Sequence, residues 1–239
     1  MRAVIAALLL WAGQGVAAEC RDIAFDGASY TICEVDATAD DLRLFHKDPA
    51  GGIIGSLTAI ADQPGVRSVV FAMNAGMYHA DRAPVGHYVE NGVETMRVIP
   101  NAGPGNFGLL PNGVFCITDT SARVIETLRY LDEAPACRDA TQSGPMLVID
   151  GALHPRFLKD GTSRYIRNGV GTSADGTRAV FAISNDPVNF HSFGRLFRDE
   201  LGLPNALFFD GKVSRLYAPA LGRSDFGFQL GPMVAVVAP

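Results

Sequence analysis

The sequence predicts one α+β domain built on a mixed, largely antiparallel β-sheet with a few flanking helices. Three observations carry this reading. Short apolar runs rich in β-branched and aromatic residues recur along the chain, most of them too short for a helix. Two-residue turn signals, Asp26-Gly27, Asn91-Gly92, Asp150-Gly151 and Asp175-Gly176, link several of these runs, and strands joined by tight turns pair antiparallel. Charged residues are only 19% of the 239, while 26 glycines and 14 prolines interrupt helical continuity. With 48% hydrophobic residues the chain can bury a substantial core, and no Ser/Pro-rich linker or internal repeat divides it.

The elements follow in order. Residues 1–18 read as an export signal: Arg2, an apolar stretch too short to span a bilayer, then small residues ending at Ala18, after which cleavage is expected. Glu19 stands where a lipid-anchor motif on Cys20 would need a small residue. The mature chain, 19–239, is therefore expected in the periplasm or outside the cell, with no membrane span. A formal net charge of −5 and no basic run argue against nucleic acid or an anionic membrane surface as partner.

Residues 21–25 and 28–35 flank the Asp26-Gly27 turn as a hairpin. Counting outward from Phe25 opposite Ala28 brings Cys20 opposite Cys33, at a non-hydrogen-bonded pair where side chains come close. A cross-strand disulfide fits there, as export allows, and leaves Cys116 to pair with Cys137. Further strands are expected at 42–46, 67–72, 146–149, 179–184, 206–209 and 234–237, several being continuous apolar runs of the kind buried on both faces. Hairpins join 87–90 to 93–97, 146–149 to 152–154, and 169–173 to 179–184. The clearest helix covers 190–201, with Phe190, Phe193, Leu196, Phe197 and Leu201 on one stripe, Asn189 as N-cap and Gly202 as stop. Residues 53–61 and 126–133 are two further helix candidates.

Four polar or glycine-rich clusters sit at strand ends. They are Asn74-Ala75-Gly76-Met77-Tyr78, Thr141-Gln142-Ser143-Gly144-Pro145, Arg167-Asn168-Gly169-Val170-Gly171-Thr172, and Phe209-Asp210-Gly211-Lys212-Val213-Ser214. Strand ends hold side chains rigidly, and glycine lets a ligand approach the backbone. Each cluster alone also reads as an ordinary turn.

Together and in this order they resemble the phosphodiester glycosidase family, in its exported bacterial branch. That family's motifs read roughly Asn-Gly-Gly-Phe-Phe, Arg-Thr-Ala-Ile-Gly and Leu-Asp-Gly-Gly-Gly-Ser. The first, third and fourth clusters match them, Ser143-Gly144-Pro145 adds a further element, and the likeness spans about 67–237. Ala75 replaces one glycine and Lys212-Val213 replace two. The resemblance implies an uncovering-enzyme-like hydrolase that cleaves the glycosidic bond of a sugar-1-phosphodiester, of the N-acetylglucosamine-1-phosphodiester kind, in a glycan or glycoconjugate. Its partner is then a phosphodiester-linked sugar or glycan.

Asp210, Arg167 and Asn74 are the expected catalytic group. Arg167 would clamp the phosphate through parallel hydrogen bonds. Asp210 would act as general base or stabilise an oxocarbenium-like sugar. Asn74 and Gln142 would bind sugar hydroxyls or an acetamido group. Ser143 and Thr172 would donate to phosphate oxygens, helped by backbone N–H groups at Gly76 and Gly171. Gly144, Asn168, Gly211, Ser214 and His79 complete the expected substrate-binding set. No cofactor is implied: the histidines lack zinc-motif spacing and no twelve-residue calcium loop occurs, though a divalent cation stays open. Two other readings compete. One is a non-catalytic carbohydrate-binding module for exopolysaccharide or envelope glycan; the other is a metal-dependent phosphodiesterase that breaks the P–O bond.

Overall fold

The computed structural model describes residues 18–211 and 213–238, so the proposed export signal lies outside the described residues apart from Ala18. Hairpins dominate the first half. In chain order the elements are β1 (Glu19–Phe25), β2 (Ala28–Asp36), β3 (Asp41–Phe45), β4 (Ser68–Asn74), β5 (Tyr88–Glu90) and β6 (Val93–Met96). There follow β7 (Gly113–Ile117), β8 (Ala122–Glu126), α1 (Thr127–Glu133), β9 (Asp139–Ser143), β10 (Met146–Ile149) and β11 (Ala152–Leu153). The chain closes with β12 (Asn168–Thr172), β13 (Arg178–Ser184), α2 (Phe190–Arg195), β14 (Asn205–Phe208), β15 (Leu216–Ala218), β16 (Arg223–Ser224) and β17 (Met233–Ala238).

These strands form three sheets: a seven-stranded one ordered β1-β2-β13-β12-β14-β10-β11, and two five-stranded ones, β16-β15-β4-β17-β3 and β6-β5-β9-β7-β8. The largely antiparallel sheet structure expected is observed, and no parallel ladder contributes to it among the described residues. One apolar core lies where all three sheets face each other, with Phe71 and Val234, Phe115 and Val124, and Phe181, Val170 and Leu207 packed together. Phe71, Phe115, Phe181 and Phe209 form a run of tilted and edge-on ring contacts through its middle. A second core fills the outer face of the seven-stranded sheet beneath α2, which explains why its central strands are apolar on both faces.

The local signals act as their chemistry requires. Asp26-Gly27, Asn91-Gly92 and Asp150-Gly151 all have positive φ at both positions, the geometry of the tight hairpin turn. The β1–β2 register places Cys20 opposite Cys33 with Cα atoms 4.0 Å apart, and both expected disulfides form, Cys116–Cys137 having a Cα separation of 5.5 Å. Helix α1 starts where Glu126 accepts hydrogen bonds from the Leu128 and Arg129 N–H groups.

Two helices differ from expectation. At 190–201, Asn189 does cap α2 by accepting from the Ser192 N–H, but after Arg195 the helix widens into a π-type turn, Leu196–Glu200, with the Leu201 N–H bonded to the Leu196 carbonyl. The wider turn keeps Leu196, Phe197 and Leu201 buried in one stripe. At 53–61 no α-helix forms: Ile53 pairs with Lys47, Gly55 takes a left-handed φ of +68°, and only a 3₁₀ turn follows at Thr58–Asp62. The Asp48 carboxylate draws in the Ala50 and Gly52 N–H groups, and the Gly55 carbonyl accepts from Leu230, so the backbone bonds elsewhere.

Candidate active site

All three sheets send strand ends to a common junction, the seven-stranded sheet sending two. Asn74 ends β4, Asn168 begins β12, Ser143 ends β9, and Phe209 and Asp210 leave β14. The two asparagines, both buried, meet across a sequence separation of 94 residues. Asn168 Nδ2 donates to the Asn74 carbonyl at 2.9 Å and to its Oδ1 at 3.1 Å, while Asn74 Nδ2 returns a longer bond of 3.3 Å to Asn168 Oδ1. The same Oδ1 accepts from the Asp210 N–H at 3.3 Å and lies 3.2 Å from Ser214 Oγ. Asn74 Oδ1 accepts from the Arg215 N–H at 2.9 Å. Ser143 Oγ donates to the Phe209 carbonyl at 2.7 Å. The turn that carries Asp210 is thus fixed by side chains from all three sheets.

Arg167 enters beside this junction, only 1% exposed. Its Nε donates to the Val188 carbonyl at 2.8 Å, its Nη2 to the Ser163 carbonyl at 3.0 Å, and its guanidinium stacks 3.7 Å over the Phe190 ring. Burial pulls its pKa down to about 10, which leaves it cationic at neutral pH. The Nη1 group faces the Asp210 turn: a Cβ at Gly211 would stand 3.8 Å from it. The fork expected to grip phosphate with two donors therefore has two of its nitrogens on backbone carbonyls and presents the third.

Tyr78 and Arg215 lie near this junction, Arg215 through its backbone N–H on Asn74 Oδ1 and Tyr78 within reach of the Asp210 charge. Burial raises the Tyr78 phenol above its ordinary value, the Asp210 charge adds to that, and the Arg82 and Arg215 cations oppose it. Arg82 lies 5.5 Å over the Tyr78 ring in a left-handed backbone conformation, φ +73°, with its Nε buried and without a hydrogen-bond partner. Sequence reasoning did not single out Arg215, whose N–H joins the junction through Asn74 Oδ1. Arg215 directly follows Ser214 of the fourth cluster, which was the available signal.

The remaining expected residues divide. Asp210, Arg167, Asn74, Asn168, Gly211, Ser214 and Ser143 converge. Asn168 Oδ1 accepts from the Asp210 N–H, and Asn74 is hydrogen-bonded to Asn168. Gln142 is engaged internally: its Oε1 accepts from the His87 and Ile99 N–H groups, and its Nε2 donates to the Ile99 carbonyl and Thr127 Oγ1. Thr172 sits at the far end of β12, about 14 Å from Asn168 by strand rise, and accepts from the Val124 N–H. Gly76, Gly144 and Gly171 are explained by packing. A Cβ would meet the Gln142 carbonyl at 2.6 Å, Asn112 Cβ at 2.7 Å and the Phe197 ring at 2.7 Å respectively. His79 is exposed on the turn between Tyr78 and Pro84. Among the described residues no group of three or more His, Cys, Asp or Glu side chains could hold a metal ion.

Three sheets close on one polar junction that holds the Asp210 turn, with the Arg167 guanidinium beside it. The chain belongs to the phosphodiester glycosidase family, which it matches over residues 67–225. It is 33% identical over 184 residues to the uncharacterized protein YigE of Escherichia coli K12, covering 77% of this chain and 72% of that one. Its fold is similar to the catalytic domain of zebrafish N-acetylglucosamine-1-phosphodiester alpha-N-acetylglucosaminidase, auto-inhibited by its pro-peptide. There the TM-score is 0.62 at 15% identity, over 93% of this chain and 82% of that one. A hypothetical protein from Synechocystis gives a TM-score of 0.61 at 12% identity, over 93% of this chain and 62% of that one. Among the described residues no helix is long and apolar enough to cross a membrane.

Proposed function

We propose that the chain is an exported hydrolase that cleaves the glycosidic bond of a sugar-1-phosphodiester, of the N-acetylglucosamine-1-phosphodiester kind, in a glycan or glycoconjugate. One observation carries this: the Asp210 turn is held by side chains from all three sheets, with the buried Arg167 guanidinium beside it. A cation beside a carboxylate suits a substrate whose phosphate is anionic and whose sugar gains positive charge in the transition state. Water adds to the anomeric carbon and the C1–O bond breaks. The bonding pair leaves with the phosphate oxygen as a phosphomonoester, and the water proton passes to the Asp210 carboxylate. Arg167 holds the phosphate through Nη1, the nitrogen nearest the Asp210 turn. The two disulfides and the apolar N-terminus support a periplasmic or secreted location.

The test is product analysis with UDP-N-acetylglucosamine and with a methyl phosphodiester of N-acetylglucosamine, repeated in EDTA. Free sugar with UDP or methyl phosphate is expected, and sugar-1-phosphate would instead mean P–O cleavage on the far side of the phosphate. Asp210→Asn should keep its melting temperature and lose more than about 100-fold in kcat, the scale of an acid–base group. An active Asp210→Asn protein would refute the assignment.

A further inference from the structure

Two phenylalanines stand almost wholly in solvent, Phe226 at 95% and Phe228 at 85% exposure. Their loop is nonetheless held in place. Arg215 Nη1 donates to the Phe228 carbonyl at 2.6 Å, and Tyr78 Oη donates to the Gln229 carbonyl at 3.4 Å. The Leu230 N–H bonds the Gly55 carbonyl, and the Asp225 carboxylate accepts from the Leu216 N–H. Gly227 packs so closely on the Arg215 guanidinium that a Cβ there would collide with it. The residue that pins the loop, Arg215, also joins the Asp210 junction: its N–H donates to Asn74 Oδ1, and the preceding Ser214 Oγ donates to the Asp210 carbonyl. An anchored loop that displays two bare rings next to a site has a binding surface rather than a packing fault.

We infer that Phe226 and Phe228 form a stacking platform for further sugar rings of an extended glycan, continuing outward from the Asp210 site. The inference rests on the reading of that site as one for a phosphodiester-linked sugar. Flat rings with no polar partner suit the apolar C–H faces of pyranoses, and the neighbouring Tyr78 hydroxyl suits their hydroxyl edges. A lipid surface fits less well. The nearby Arg223 is tied to Asp225, Thr31 and Asn185, Arg215 is tied to Phe228, and the chain carries a net −5 charge. Cations free to meet anionic headgroups are what such a surface requires.

Binding of N-acetylglucosamine oligomers of increasing length, measured by calorimetry, tests the platform without needing turnover, since these oligomers contain no phosphodiester. Affinity should rise with length for the native chain. The double variant Phe226→Ala/Phe228→Ala should lose that gain, by roughly 30-fold in Kd for the longest oligomer, the scale of two ring stackings. Leu128→Ala, which removes an exposed apolar side chain on α1, should keep it. Equal affinity for all lengths in the native chain, or an unchanged length dependence in the double variant, overturns the inference. So does phenylalanine-dependent binding to vesicles of phosphatidylethanolamine and phosphatidylglycerol with no effect on sugars. Failure of the native chain to hydrolyse a phosphodiester would refute the proposed activity alone and leave the oligomer result to stand or fall separately.

Discussion

Replacing Asn168 by aspartate changes one nitrogen to oxygen at the centre of the junction. Asn168 is fully buried. Its carbonyl oxygen, which accepts from Asp210 N–H and faces Ser214, survives the change. Its amide, which donates to the Asn74 carbonyl and Oδ1, does not. Asn74 Oδ1 keeps the Arg215 N–H, but the Asn74 carbonyl loses this buried donor and faces an acceptor instead, so the expected loss is roughly 1–3 kcal/mol. For a domain of this size that lowers the melting temperature by about 2–12 °C. The sign with pH is also fixed. Burial and the facing oxygens raise the folded pKa of the new carboxyl. The charge-related part of the penalty is then absent below the unfolded pKa, about 4, and grows as pH rises through the folded value. Thermal melts followed by circular dichroism at pH about 4 and about 7 should show the larger deficit at pH 7. A melting temperature within about 1 °C of the native chain at both pH values would refute the claim that this amide pair ties the sheets together.

Two further outcomes follow from other parts of the fold. Burial raises the Glu90 carboxyl to about 7, against a partial offset from the Tyr88 hydroxyl that donates to it at 2.7 Å. The folded state therefore binds a proton that the unfolded state has lost, so stability should fall between pH about 4.5 and about 7. Glu90→Gln should flatten that part of a melting-temperature profile, and an unchanged slope would remove Glu90 as its source. The disulfides close segments with sequence separations of 13 and 21 residues, so alanine pairs at Cys20/Cys33 or Cys116/Cys137 should each cost roughly 3 kcal/mol. Urea titration reads this directly, and no shift in midpoint would contradict it.

The sequence by itself determined what is local. Asp26-Gly27 set a hairpin register, and that register placed Cys20 against Cys33, because each step along a strand flips the side chain and leaves no freedom once the turn is set. Asn189 announced the start of α2 in the same way. The clusters at 74–78, 167–172 and 209–214 named the family and most of the junction. Tertiary structure decided the rest. Asp139–Ser143 is a fully buried strand, yet its sequence Asp-Ala-Thr-Gln-Ser shows no apolar pattern, since its polar groups are satisfied by partners remote in sequence such as Asn91, His87 and Phe209. Gln142 and Thr172 were drawn into the expected site by their residue type, while their hydrogen bonds lie inside the fold. Arg167 looked like an open clamp, and its burial against Phe190 and the Val188 carbonyl depends on a helix that starts 23 residues later. Turn geometry and strand alternation are written residue by residue. The neighbours that satisfy a buried polar side chain exist only once distant segments have met.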